Sequence, residues 1–215
     1  GDANGGGVVP YAYKISNYYN AIQWAAGLEL FLLINNPEQV YFTTDHPNGG
    51  PFTAYPDLFA LLMSADLRAQ TMARLPAEAL EHTTLPSLKR EYTLYEIAQM
   101  SRSGAAKLFG FTDRGQLGAG AVADIAVYKP GKDVAGMFRR AAYVYKDGEL
   151  VVRNGEVTQY KRGKTLNIRP RYDNNITTRL DAYYDELYGL PRSIFDLPEA
   201  ALPHHDAFAE VACRN

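Results

Sequence analysis

Apolar residues crowd the stretch Ala21–Ile34, AIQWAAGLELFLLI, in which Glu29 is the one charge. That pattern predicts a helix buried on most faces, stopped by Asn35, Asn36 and Pro37. Val40 to Asp45 is β-branched and aromatic, is bounded by Pro37 and Pro47, and predicts a short strand. The loop that follows carries Gly49, Gly50 and three prolines up to Pro56. A second helix is expected from about Pro56 and Asp57, because Leu58, Leu61, Leu62, Ala65 and Met72 recur at helical spacing. Helix, strand, loop and helix in this order are the rhythm of an α/β unit.

Thr93 and Glu96 have the spacing of a capping box, and Leu94, Ile97, Ala98, Ser101, Ala105 and Leu108 line one face of the helix it opens. Gly110 is placed to end that helix in a left-handed cap. The texture then changes. Residues 123–128 (ADIAVY), 141–146 (AAYVYK), 149–153 (ELVVR) and 156–161 (EVTQYK) are short strand patterns. Asp147-Gly148 and Asn154-Gly155 between them are hairpin turns of the primed type, so an antiparallel meander is expected. The stretch 161–170 is basic and irregular, and 177–188 is an amphipathic helix carrying Leu180, Tyr184, Leu187 and Tyr188. Proline punctuates the tail beyond Pro191, and the chain contains no internal repeat.

Composition narrows the classes of function. With 215 residues, 47% of them apolar, the chain can bury a substantial core. Twenty-two basic against 24 acidic side chains leave a net charge of -2, so no global field draws it to nucleic acid or a membrane surface. The single cysteine, Cys213, can form neither an internal disulfide nor a thiolate metal cage, which fits a reducing cytoplasm. The opening GDANGGGVVPY lacks both the pattern of a secretory signal and an initiator methionine. A glycine-rich start that runs at once into a core helix is expected of the later part of something longer.

Asp45 closes the predicted strand at a glycine-rich mouth. A carboxylate at the C-terminal end of a barrel strand is placed to ligate a metal and to take a proton from an attacking water, although aspartate also ends strands for turn reasons alone. Adjacent strand residues face opposite ways, so His46 cannot share one metal with Asp45 while the strand stays regular, and a loop or packing role is favoured. His82 reads as a solvated loop residue, and His204-His205 lacks a spaced metal-binding partner. The letters of a dinucleotide fingerprint between Gly115 and Ala123 precede a strand instead of following one, which rejects a nucleotide site. The basic cluster Lys161, Arg162, Lys164, Arg169 and Arg171 reads as a charged connecting segment, with binding of a polyanion as the alternative.

Asp113-Arg-Gly115, Gly118-Ala-Gly120, Ala123-Asp124-Ile125 and the two hairpin turns together resemble the end of a metal-dependent amidohydrolase. In that superfamily the chain leaves a (β/α)8 barrel by a last helix and returns to a small β-sandwich. Gly5–Tyr11, Asn20–Leu30 and above all Thr43–Phe52, TTDHPNGGPF, are similar to the family formed by the A subunits of formylmethanofuran dehydrogenases and of the related bacterial formyltransferase/hydrolase complexes. Up to about Arg171 the resemblance is close, and beyond it loose. It implies hydrolysis, or the reverse condensation, of an N-formyl amide on methanofuran or its bacterial analogue at a dinuclear zinc centre. By resemblance Asp45 is the strand-8 aspartate, a metal ligand and the base that activates the bridging hydroxide. Asn48, Gly49 and Gly50 would shape the formyl pocket, with Gly6 in the glycine run Gly5–Gly7 on a neighbouring loop.

The departures carry equal information. The family's site needs an H-x-H pair, a carboxylated lysine and further histidines, whereas this chain offers no H-x-H and its four histidines do not stand in barrel positions before Asp45. One carboxylate cannot hold two zinc ions, so the chain alone is expected to be inactive. An N-terminal portion, missing or supplied as a separate polypeptide, and other subunits of such a complex are the expected partners, with neither nucleic acid nor membrane among them. The expected organisation is the last barrel elements over 1–110, sandwich strands over 111–161 and an extension over 162–215. The alternatives are another amidohydrolase of the cyclic amidase type and a non-catalytic scaffold subunit.

Overall fold

In the computed structural model residues 14–44, 51–196 and 208–212 are described. Helix α1 (Tyr18–Leu33) occupies the long apolar run and buries Ala21, Ala25, Leu28 and Leu32. Asn17 caps it, its side chain accepting from the Asn20 N–H at 3.2 Å. The charge inside the run also has a physical reason. Glu29 faces a loop whose Thr83 and Thr84 hydroxyls each donate to its carboxylate at 2.5 Å.

A 3-10 turn at Pro37–Gln39 follows, capped by Asn36. Val40 is extended (φ -131°, ψ 144°). Residues 40–44 nevertheless pair with no strand among the described residues. The expected strand therefore has its expected extended start at Val40, and its end at Asp45 lies outside the described residues.

The single helix expected over 56–72 is two helices, α2 (Tyr55–Met63) and α3 (Ala65–Met72). They break at Ser64 (φ -139°, ψ 110°), whose hydroxyl accepts from the Leu67 N–H at 3.1 Å. Serine offers the backbone this alternative partner, which apolar spacing does not reveal. Arg68, only 1% exposed, secures the corner. Its guanidinium donates to the Leu61 and Leu62 carbonyls at 2.7 and 3.2 Å and to the Arg90 carbonyl at 2.6 Å.

After the short α4 (Ala77–Leu80) and a 3-10 turn at Leu85–Ser87, the chain is laced to the end of α1. Arg90 donates to the carbonyls of Leu32 and Ile34, and the Tyr92 hydroxyl donates to the Phe31 carbonyl at 2.5 Å. Helix α5 (Leu94–Ala98) opens on the expected capping box, with both reciprocal bonds between Thr93 and Glu96 formed. It passes through a π turn, Gln99–Ser103, into α6 (Gly104–Leu108). Gly104 permits the close approach there, since a Cβ would lie 3.0 Å from the Glu38 Cα.

The meander forms a four-stranded antiparallel sheet in sequence order: β1 (Ile125–Val127), β2 (Tyr143–Lys146), β3 (Glu149–Arg153) and β4 (Glu156–Val157). Asp147, Gly148, Asn154 and Gly155 all have positive φ, from 52° to 78°, as the primed turns require. Helix α7 (Val134–Arg139) intervenes between β1 and β2, capped by Asp133. It was not legible as an apolar period. Ala25, Leu28, Leu32, Val40, Phe59, Leu62, Leu85, Tyr92, Ile97 and Met100 make one core shared by α1, α2, α5 and the π turn.

Two compact units result, Gly1–Lys107 with Asp113–Tyr160, and Leu108–Thr112 with Lys161–Asn215. In the second, β5 (Thr165–Arg169) runs through the segment expected to be irregular and pairs in parallel with β6 (Phe208–Ala212). Helix α8 (Asn175–Tyr188) ends at Gly189 in a left-handed cap, φ 63°. The architecture is mixed α/β, and no helix among the described residues is long and apolar enough to cross a membrane.

Candidate functional site

Asp45, Asn48, Gly49, Gly50 and Gly6 lie outside the described residues, as do His46, His204, His205 and Cys213. What the structure shows is the ground on either side of the predicted mouth. Tyr41 and Phe42 before it, and Phe52, Thr53, Tyr55 and Pro56 after it, line one pocket of about 730 Å³. Phe59, Tyr128 and Phe138 add aromatic walls, and Met100, Ser101, Arg102 and Ala105 come from the π turn and α6. The rings form a chain: Phe31 to Phe42 at 4.4 Å between centroids, Phe42 to Phe59 at 5.8 Å, Phe59 to Phe138 at 5.1 Å and Phe138 to Tyr128 at 5.1 Å. These separations are those of stabilising aromatic pairs.

Most polar groups on this wall are already engaged by the protein. The Tyr41 hydroxyl donates to the Glu38 carbonyl at 2.9 Å, that of Tyr55 to the Phe42 carbonyl at 3.5 Å, and that of Ser101 to the Ile97 carbonyl at 2.6 Å. Arg139 pairs with Asp57 at 2.5 Å, and Arg102 donates to the Ser101 carbonyl at 2.9 Å. Thr44 contrasts with them. It is buried, 9% exposed, and its Oγ1 has no hydrogen-bond partner.

Glu38 stitches the turn before the extended segment to α6. Its carboxylate pairs with the Lys107 ammonium and accepts from the Ser103 hydroxyl at 2.9 Å. These two bonds, Lys107 first, hold its carboxyl below the ordinary carboxylate value. A folded-state pKa below the unfolded one contributes stability that is fully present above the ordinary carboxylate value and lost as pH falls through the depressed one. Wild type is therefore expected to exceed Glu38→Gln in stability at neutral pH, and the difference to vanish in acid. Urea unfolding of both proteins across that range measures it, and a gap that persists in acid contradicts this origin.

Among the described residues no group of three or more His, Cys, Asp or Glu side chains could hold a metal ion. His82 is exposed and meets the Tyr18 ring edge-on at 6.4 Å between centroids. The segment 115–123 turns at Gly115 and Gly120 (φ 77° and 85°), and the Val122 N–H donates to the Asp113 carbonyl at 2.7 Å just before β1. Asp113 and Arg114 form a two-pronged pair at 2.9 and 2.8 Å, while Asp124 pairs with Lys146 at 2.6 Å and accepts from the Asp147 N–H at 2.8 Å. These bonds give the D-R-G and A-D letters a scaffolding reason. Of the basic cluster, Arg169 ends β5. The pocket itself was not foreseen; its signal, aromatic residues on both flanks of the predicted mouth, was present in the sequence.

Residues 12–159 match the model of the amidohydrolase family. The chain is 48% identical over all 215 residues to the A subunit of the formyltransferase/hydrolase complex Fhc of Methylorubrum extorquens, and spans 39% of that protein. Over 172 residues, 76% of this chain and 30% of the relative, it is 43% identical to protein FwdA of Methanocaldococcus jannaschii. It is also similar to a chain in the X-ray crystal structure of the FhcABCD complex from M. extorquens with methylofuran. That similarity has a TM-score of 0.78 at 46% identity and covers 96% of this chain and 38% of that one. The chain thus spans less than two fifths of the length of each of these relatives.

Proposed function

Because the chain belongs to the amidohydrolase family, we propose that it is part of a larger polypeptide that hydrolyses, or in reverse forms, the N-formyl amide of methanofuran or a methanofuran analogue, releasing formate. The observation that carries this reading is the likeness over 96% of the chain to a protein solved in complex with methylofuran. Residues 1–110 would belong to the last elements of a (β/α)8 barrel, 111–161 to a small β-sandwich and 162–215 to an extension.

In this reading Asp45 acts on the formyl group. Water attacks the formyl carbon, the Asp45 carboxylate takes the proton it sheds, and that proton passes to the departing amine nitrogen as the C–N bond breaks. Formate and the free amine leave. Asn48, Gly49, Gly50 and Gly6 shape the space around the formyl group. A dinuclear zinc centre would supply the charge that polarises the formyl oxygen. The described residues do not by themselves fit such a centre. Asp45 is the one ligand proposed from this chain, and the other ligands must come from further polypeptide of the same subunit. The remaining partners are the other subunits of a formyltransferase/hydrolase complex, in the cytoplasm.

The test is substrate preference of the assembled complex. N-formylfurfurylamine should release formate faster than the complex opens hydantoin or a cyclic imide. Faster ring opening would assign the chain to a cyclic amidase and overturn the furan reading.

A further inference from the structure

We propose that the aromatic face of α8, with the 3-10 turn Arg192–Phe195 that follows it, is a docking surface, and that its occupant is another subunit of the complex, presenting an apolar patch with a basic rim. The inference rests on the reading above that the chain works in a multi-subunit complex, and adds where a neighbour seats. Leu180, Tyr184, Leu187 and Tyr188 recur at helical spacing, which in a self-contained fold would turn them into a core. Here Leu180, Leu187 and Tyr188 are 39, 58 and 56% exposed, and Tyr183 beside them is 51% exposed. Of the described side chains in the second unit, none is buried. A unit that hides no side chain has little to offset the entropy of ordering its chain, and covering this face supplies the missing burial.

The face is shaped before any partner arrives. Arg192 donates to the Asp181 carboxylate at 2.7 Å and pairs with Asp196 at 3.6 Å, which draws the turn back against α8. The Tyr184 ring meets those of Phe195 at 5.2 Å and Tyr188 at 5.5 Å between centroids, and Ile194 and Phe195 remain exposed. Rings held in this way lose little freedom on binding, and tyrosine is enriched at protein interfaces. Two observations choose the occupant. Residues 172–196 carry Asp173, Asp181, Asp185, Glu186 and Asp196 against Arg179 and Arg192 alone, and Asp185 and Glu186 are in no ion pair among the described residues, so the complementary rim is basic. The match to the amidohydrolase family ends at residue 159, whereas the A subunit of the Fhc complex is matched over the full chain, α8 included. A surface outside the stretch shared with amidohydrolases in general, and inside a subunit of an assembly, points to the assembly.

The test uses the complete A subunit that contains this chain, co-expressed with the other subunits of its complex and purified through a tag on A. Leu187→Glu and Tyr188→Glu together should lower the recovered partner subunits at least about tenfold. The same pair should leave the melting temperature of the separate A subunit within about 2 °C of wild type, because both side chains already stand in water. Tyr95→Glu, at a tyrosine 72% exposed on α5, should change neither. A second measurement needs no substitution. Zero-length carbodiimide coupling in the intact complex should join the carboxylates of Asp185 and Glu186 to lysines of another subunit, identified by mass spectrometry.

Recovery of the Leu187→Glu and Tyr188→Glu double variant within about twofold of wild type would overturn the proposal. So would coupling of Asp185 and Glu186 only to the A subunit itself, whether to its remainder or to a second copy. A melting temperature of the separate subunit lowered by more than about 5 °C would do the same, since the face would then be packed within the subunit. Formate release is read separately. A complex that assembles through α8 yet releases no formate sinks the proposed activity and leaves the docking surface standing; an active complex indifferent to the α8 substitutions does the reverse.

Discussion

Replacing Asp45 by alanine in the complete assembly is expected to lower formate release at least about 100-fold, the usual cost of losing a general base. The physical reason is that formyl transfer to water needs a group to take the proton as the O–C bond forms, and no other carboxylate stands in TTDHPNGGPF. The loss should fall on kcat, because the proton moves in the transition state and not on binding. Asp45→Asn keeps the shape and loses the charge, so it should be nearly as inactive, and substrate retention by either variant separates chemistry from binding. Formate release by Asp45→Ala within about twofold of wild type would remove the central residue of the proposed mechanism.

Arg68→Met is expected to lower the unfolding free energy by about 2–4 kcal/mol, the largest stability effect of any substitution considered for this chain. Arg68 is 1% exposed and holds three carbonyls at once, those of Leu61, Leu62 and Arg90. Methionine fills a similar volume and bonds none of them. The Leu62 carbonyl keeps a partner, since the Tyr92 N–H donates to it at 2.9 Å, but the bonds from Arg68 to Leu61 and Arg90 are lost without replacement. A buried acceptor deprived of its donor costs about 1–3 kcal/mol, and two such groups give the expected range. Arg68→Lys should fall in between, because one ammonium cannot span the positions that the planar fork reaches. Urea unfolding followed by circular dichroism measures the series. A loss under about 1 kcal/mol for methionine would mean that the corner between α2 and α3 is held by the Ser64 cap and packing alone.

These two residues mark the division between what was legible early and what was not. Asp45 is proposed from local letters, because a strand pattern that ends on a carboxylate before Asn-Gly-Gly is a local statement, and the resemblance of TTDHPNGGPF gives it its proposed role. Nothing in the letters around Arg68 sets it apart. Its burial depends on the break at Ser64, which turns α3 back so that the guanidinium meets the end of α2, and on Arg90, 22 residues away. Glu29 is a parallel case: an anomaly in an apolar run until Thr83 and Thr84 arrive from a distant loop.

The sequence by itself determined the elements whose causes are local. The capping box at Thr93, the buried run of α1, the left-handed stop at Gly110 and the two hairpin turns with positive φ all rest on a few neighbouring residues. Its D-R-G, G-A-G and A-D-I letters also resemble those of the amidohydrolase family, whose model matches residues 12–159. Only the tertiary structure decided which polar groups are spent on the fold and which are left over. The hydroxyls of Tyr41, Tyr55 and Ser101 are satisfied by contacts within the folded chain, whereas Thr44 keeps a buried hydroxyl with no partner. Hydrogen-bond satisfaction depends on distances between segments far apart in the chain, and no periodicity of apolar and polar letters carries that information.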